Sequence, residues 1–196
     1  MFRSIRLSLI CVICFLIYGN TTLGQEGDQE EMMQKWTEFM TPGENHKLLA
    51  RKAGKWKLHV KIWMAPGTPP SESDATATYS MIMGGRYLAD ETRGDFGGMP
   101  FEGHGLSGYD NGLKKFVYTW IDNVGTGVLT GTGDYDAGKK EYEYETMFTD
   151  PISGKSVKGR MIERAIDDDH FVMESYQKGP DGKEFQSMEI TYERQK

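Results

Sequence analysis

The run "GHGLSG", Gly103 to Gly108, has the spacing G-x-G-x-x-G. That spacing cradles phosphates when a strand precedes the glycines and a helix opens after them, because the helix N-terminus supplies N–H groups and a positive dipole end. Here "YDNGLKKFVYTW" follows, a turn and then an alternating run, so the helix is missing. "DFG", Asp95 to Gly97, has the letters of a magnesium-holding kinase triplet. It lies before the glycine run, and no H-R-D-x-x-x-x-N and no V-A-I-K lysine accompany it. Both stretches are therefore expected to be structural: a loop, "DFGGMP", and a strand on which Phe101, Gly103, Gly105, Ser107 and Tyr109 share a face. Small residues on one face let a strand bend or let a backbone or ligand approach closely.

The other reactive side chains are scattered. His46, His59, His104 and His170 show no i,i+2 or i,i+4 pairing, so no local metal signature exists and no metal ligand is assigned. His59 shares a face with Lys57 and Lys61, and His170 stands in the acidic turn "DDDH". His104 shares a face with Glu102 and Leu106 and is the histidine to test for chemistry. Ser107 lacks the G-x-S-x-G frame of a nucleophile elbow. Glu91 with Glu102 or His104 makes an acid–base pair only if the fold joins them. No catalytic residue is assigned. Glu141, Glu143 and Glu145 alternate with Tyr142 and Tyr144, which reads as a solvated strand face. Methionines and aromatics, among them Met81, Trp120 and Tyr144, recur on most strands and line either a packed core or an adaptable apolar cavity. The expected ligand-binding set is Glu91, Arg93, His104, Trp120, Met81 and Tyr144.

These residues are carried on alternating segments. "WKLHVKIWM" puts Trp56, Leu58, Val60, Ile62 and Met64 on one face. Nine more strand-like runs follow: 75–83, 86–94, 101–109, 115–122, 126–135, 141–148, 156–166, 170–178 and 184–193. Turn chemistry separates them, including "DNG" at 110–112, "DAGKK", "DPISGKS" and "GPDGKE". So many strands with short joints predict an all-β fold, an antiparallel up-and-down barrel of about 8–10 strands, since closure removes exposed edges. Two short helices precede it, 29–40 with Met32, Met33, Trp36, Phe39 and Met40 apolar, and 44–53 closed by Gly54.

"MFRSIRLSLICVICFLIYGNTTLGQ" has Arg3 and Arg6, an apolar run from Leu7 to Tyr18, and small residues to Gly24. It is expected to be a signal peptide cleaved near Gly24, since a spanning helix needs roughly 20 apolar residues. The product would be periplasmic or secreted. Residues 1–24 are thus the signal, 25–43 a helical linker and 44–196 the barrel domain. Cys11 and Cys14 both fall in the signal, so the remainder has no disulfide and no thiolate site. It retains 21 basic against 29 acidic residues, a charge of −8. That excludes a basic nucleic-acid footprint and disfavours anionic lipid, and no stable membrane anchor is expected after cleavage. The expected partner is a small apolar molecule.

"MTPGENHKLLARKAGKWKLHVKIWMAPGTPP", "GGRYLADETRGDFGGMPFEGHGLSGYDN", "KKFVYTWID" and "PDGKEFQSMEITYER" together resemble the DUF1579 family, from about Met40 to Arg194. The resemblance implies a calycin-like, lipocalin-like barrel of unknown function and transfers no site residue. Gly54-Lys55-Trp56 resembles the G-x-W opening of lipocalins. Nitrobindin-like haem barrels are similar in outline but need an axial histidine late in the chain, where only His170 stands. No cofactor is expected.

Overall fold

The computed structural model describes residues 25–196. The segment read as a signal peptide lies outside the described residues. The chain divides into two units between Thr37 and Glu38, the second running to Lys196. Helix α1 spans Gln25–Met40, and Met32, Met33 and Trp36 on it are exposed. The second unit continues with α2, Glu44–Ala50, and then the strands.

Ten strands follow: β1 Gly54–Ile62, β2 Ser71–Ile82, β3 Tyr87–Phe96, β4 Met99–Asp110, β5 Lys115–Asp122, β6 Leu129–Asp136, β7 Glu141–Thr149, β8 Ser156–Ala165, β9 His170–Lys178 and β10 Glu184–Arg194. Each is antiparallel to the next, and β10 pairs with β1, so the meander closes as a barrel. Every expected strand is present, with ends shifted by a few residues. The alternation that marks them has one cause: one face of each strand looks into the barrel and the other into solvent. Some details differ. "DNG" is not a two-residue hairpin; the Asp110 carboxylate accepts from the N–H groups of Gly112 and Leu113, and Lys114 takes the positive φ. Helix α2 ends at Ala50 with Arg51 as its cap, so Gly54 does not terminate it.

Gly54 does something else. Its φ is +135°, and a Cβ there would lie 2.6 Å from Arg194 Nη1. Arg194 stands opposite Trp56 across the closing pair. Its guanidinium lies 4.1 Å over the Trp56 ring and donates to the carbonyls of Ala53 (2.7 Å), Arg51 (2.8 Å) and Asp168 (3.1 Å). Trp56 Nε1 donates to the Lys52 carbonyl at 2.9 Å. The end of α2 is thereby bonded to both strands of the closing seam. Beneath this knot Trp56 packs edge-on to Phe171, and Phe171 stacks on Tyr192 at 3.8 Å. Leu49 of α2 and Leu88 of β3 are fully buried beside them. His46 secures the other end of α2: its Nδ1 accepts the Gly43 N–H at 3.0 Å, and burial holds its pKa below the ordinary value.

Burial along the inner face is graded. Near α2 the inward residues Trp56, Tyr79, Leu88, Phe116, Tyr142, Phe171 and Tyr192 are buried. Toward the opposite end Val60, Ala75, Trp120, Gly159, Ser175 and Gln177 keep partial exposure. One end of the barrel is packed shut, and the other is open to water.

Replacing Arg194 with Ala removes three charged hydrogen bonds and a cation–π contact. It should lower unfolding free energy by about 2–4 kcal/mol, while Lys57→Ala on the outer face should change it by less than about 0.5 kcal/mol. Urea midpoints compare the two, and equal midpoints would remove Arg194 from its role in closure.

Candidate functional site

The inner face of β3 is odd for a strand so deep. Leu88, Asp90 and Thr92 all point inward and are buried, and Asp90 is only 4% exposed. The opposite position on β4 is Gly105. A Cβ at 105 would collide with the Asp90 carboxylate, and one at Gly103 would collide with the Trp120 ring. The glycines of "GHGLSG" therefore make room for a buried acid and an aromatic plate. The small residues were expected to admit a bend, a backbone or a ligand; at Gly103 and Gly105 what approaches is the protein's own side chains.

Two further charges reach this level. Glu163 is inward on β8 and buried. Lys52, from the turn after α2, donates to its Oε2, and both side chains are about nine-tenths buried. Lys52 Nζ also lies between 5.4 and 5.8 Å from the ring centroids of Tyr142, Phe171 and Tyr79. Among the described residues Asp90 forms no ion pair. Burial pushes its carboxyl up to about 7, and the charge of Glu163 adds to that, against the opposing pull of Lys52, His104 and a backbone hydrogen bond from Gly105. The hydroxyls of Tyr79, Tyr118 and Tyr192 are raised well above the ordinary tyrosine value, first by burial and then by neighbouring charge that includes Asp90. The Tyr79 and Tyr192 rings meet edge to face with centroids 6.4 Å apart. Tyr118 itself keeps partial exposure. Lys52, Glu163, Asp90 and tyrosine hydroxyls thus form a polar level inside the barrel, on whose inner face Trp120, Tyr144 and Met173 also stand.

The six residues singled out from sequence divide between the two faces. Trp120 and Tyr144 are on the inner face, Trp120 fixed by Nε1 to Asp122 at 2.9 Å and Tyr144 fully buried. Met81 is inward too, but at the packed end opposite Leu88. Glu91, Arg93 and His104 do meet, on the outside. Arg93 bonds Glu91 at 2.6 Å and forks onto Glu102 at 3.2 Å, and His104 Nε2 is 3.0 Å from Glu102. The His104 and Arg93 contacts lower the Glu102 pKa, the opposite of what a general acid needs. His59 lies outside against Asp74 and Glu72. His170 is outside too, 2.8 Å from Asp167, so no strand brings a histidine to the inner face. Glu141 is not solvated as its alternation implied; it is buried and receives Arg164 Nε at 2.9 Å.

Sequence reasoning missed Asp90, Glu163 and Lys52. The first two carried a signal, since each is a charge in the inward phase of an alternating run. Lys52 gave none, because it enters from the helix end. A concavity of about 630 Å³ lies over the outer face of β5–β8, lined by Lys115, Asp134, Glu143, Glu145, Lys158 and Arg160. Its charges pair with one another, as Lys115 does with Asp134, which marks a solvated ionic face. Among the described residues no cluster of three or more His, Cys, Asp or Glu is placed to hold a metal. No described helix is long and apolar enough to cross a membrane.

A closed ten-stranded antiparallel meander with one sealed end and one open end is a barrel of the calycin-like kind. The family model described as "Protein of unknown function (DUF1579)" matches residues 41–194, and the chain belongs to that family. A search of curated proteins finds no match. Among solved structures, Rv2717c from M. tuberculosis superposes with a TM-score of 0.59 at 16% identity, over 80% of this chain and all of that one. That likeness is one of fold alone. A redesigned beta barrel matches with a TM-score of 0.40 at 11% identity, over 76% of this chain and 96% of that one.

The raised Asp90 pKa has a signed consequence for stability. Below about pH 4 both folded and unfolded chains carry this proton, and between about 4 and 7 only the folded chain keeps it. Stability from this group is full at low pH and is lost as pH rises to about 7. Relative to Asp90→Asn, the wild-type protein should lose about 2–3 kcal/mol between pH 5 and pH 8. Parallel stability–pH curves for the two proteins would show that Asp90 titrates as an ordinary carboxylate.

Proposed function

We propose that this chain is an exported, non-enzymatic binding module whose barrel holds one small apolar or amphipathic molecule. The observation that carries the proposal is the graded inner face, packed at one end, charged at mid-depth and partly solvated at the other, which we read as a cup with a polar floor. A merely structural barrel of this size has no need of three buried charges at mid-depth, since burying charge costs stability. A binding barrel does: apolar walls supply affinity and a few fixed polar groups orient the guest. Trp120, Tyr118 and Tyr144 are the walls nearest that floor. Methionines 161, 173 and 188 supply side chains that adapt to an irregular guest. The export signal read in residues 1–24 and the acidic charge fit a protein working outside the cytoplasm.

A second reading has one observation behind it. Asp90, with its pKa near neutrality and tyrosine hydroxyls around it, has the properties of a general acid–base group. A hydrolase or isomerase would then work inside the cup. Under the binding reading, Asp90→Asn should hold no small molecule that the wild-type protein lacks, even if it holds less. A compound that accumulates only on the variant would point to turnover.

The cup is tested by filling it. Ala75→Phe places a ring on the inner face of the open half, and Lys57→Phe places one outside. Native mass spectrometry and tryptophan emission with a panel of C8–C12 amphiphiles should show binding to wild type and Lys57→Phe, and at least about tenfold weaker binding to Ala75→Phe. Equal binding by all three, with far-UV circular dichroism unchanged, would place any ligand elsewhere.

A further inference from the structure

Resting on the cup proposed above, we infer that its guest is a protonated amine with an apolar tail, the ammonium group seated against the Asp90 carboxylate and the surrounding aromatic faces. The inference rests on the bookkeeping of charge inside the barrel. The one lysine at this depth, Lys52, is already bonded to Glu163. No described cation is therefore left to receive an anionic head group. Asp90 is 4% exposed, inward-facing, and without an ion-pair partner among the described residues. A carboxylate guest would bring a third acid to Glu163 and Asp90. An ammonium guest would complete a second pair beside the first.

The rings around Asp90 suit the same head group. Tyr79, Tyr118 and Tyr192 bear on Asp90, and Trp120 stands opposite Gly105, the residue that faces Asp90 across β3 and β4. Electron-rich faces attract a desolvated cation by about 0.5–2 kcal/mol each. The barrel already shows such contacts, with Lys52 among three rings and Arg194 over Trp56. The groups that bear on Asp90 from the packed elements are Lys52 after α2, Glu163 on β8, His104 on β4, and the hydroxyls of Tyr79, Tyr118 and Tyr192. Of these only Lys52 and His104 are basic. Lys52 is paired with Glu163, and His104 is on the outer face bonded to Glu102. Because burial holds the Asp90 carboxyl up to about 7, seating a cation must first remove its proton at lower pH.

Octylamine, octanol and octanoate share one tail and differ only at the head, so they separate the alternatives. Titration of the full-length mature protein by calorimetry should give the tightest binding for octylamine. That binding should be about tenfold weaker at pH 6 than at pH 8, while octanol changes little. Asp90→Asn should lose at least about tenfold for octylamine and leave octanol nearly unchanged. The pH comparison uses wild-type protein alone, so it decides the matter even if the variant does not fold. Octanoate binding as tightly as octylamine, or octylamine binding that does not weaken at pH 6, would overturn the amine assignment while leaving the cup in place. Failure of all three to bind would overturn the cup itself.

Discussion

The knot formed by Gly54, Trp56 and Arg194 sets what the rest of the barrel can be. It lies on the seam where the last strand meets the first, at Trp56 and Arg194, 138 positions apart. Closing so long a loop costs chain entropy that sequential hairpins do not. The seam therefore needs an energetic anchor, and the guanidinium provides one by joining Trp56, the end of α2 and the β9 turn in one step. Only glycine at 54 leaves space for it. Once α2 is bonded there, Lys52 is carried to Glu163 and one end of the barrel is shut.

That asymmetry produces the site. A barrel plugged at one end packs its aromatic rings there, so the opposite half has fewer inward side chains in contact and admits water. Between the two lies a level where a carboxylate is buried without an ion-pair partner among the described residues. Asp90 sits there because Gly105 yields its space. Its charge is disfavoured, which is why its proton is held to near neutral pH. Under the proposed binding role a guest at that position would offset the cost, and buried polarity of this kind concentrates at functional sites generally.

Much of the fold was legible in the residues. Ten alternating runs joined by Gly, Asp and Pro turns dictate a meander, and a meander of that length must close. Period two also separated the face of Trp56 and Leu58, which is inward, from that of Lys57 and His59, which is outward. The site was less legible. Glu91, Arg93, Glu102 and His104 are conspicuous as residue types and do come together, yet their phase places them outside. Asp90 is one residue from Glu91 and has the opposite phase, so attention to phase rather than to residue type would have found it. The neighbours of Asp90 could not be read, because Lys52, Glu163 and Gly105 meet it only through closure. Glu141 shows the converse limit: an outward phase at a strand end can still be covered, here by Arg164.

The described part of the chain has no cysteine, so single cysteines report directly on whether the cup exists. Ser175→Cys stands on the inner face of the open half, and Ala77→Cys at the sealed depth. With a small thiol reagent under native conditions, the cysteine at 175 should be labelled within minutes and be shielded by a bound amphiphile, while the one at 77 stays unreactive until the protein is unfolded. Equal protection of both sites would mean a barrel filled from end to end and would contradict the account.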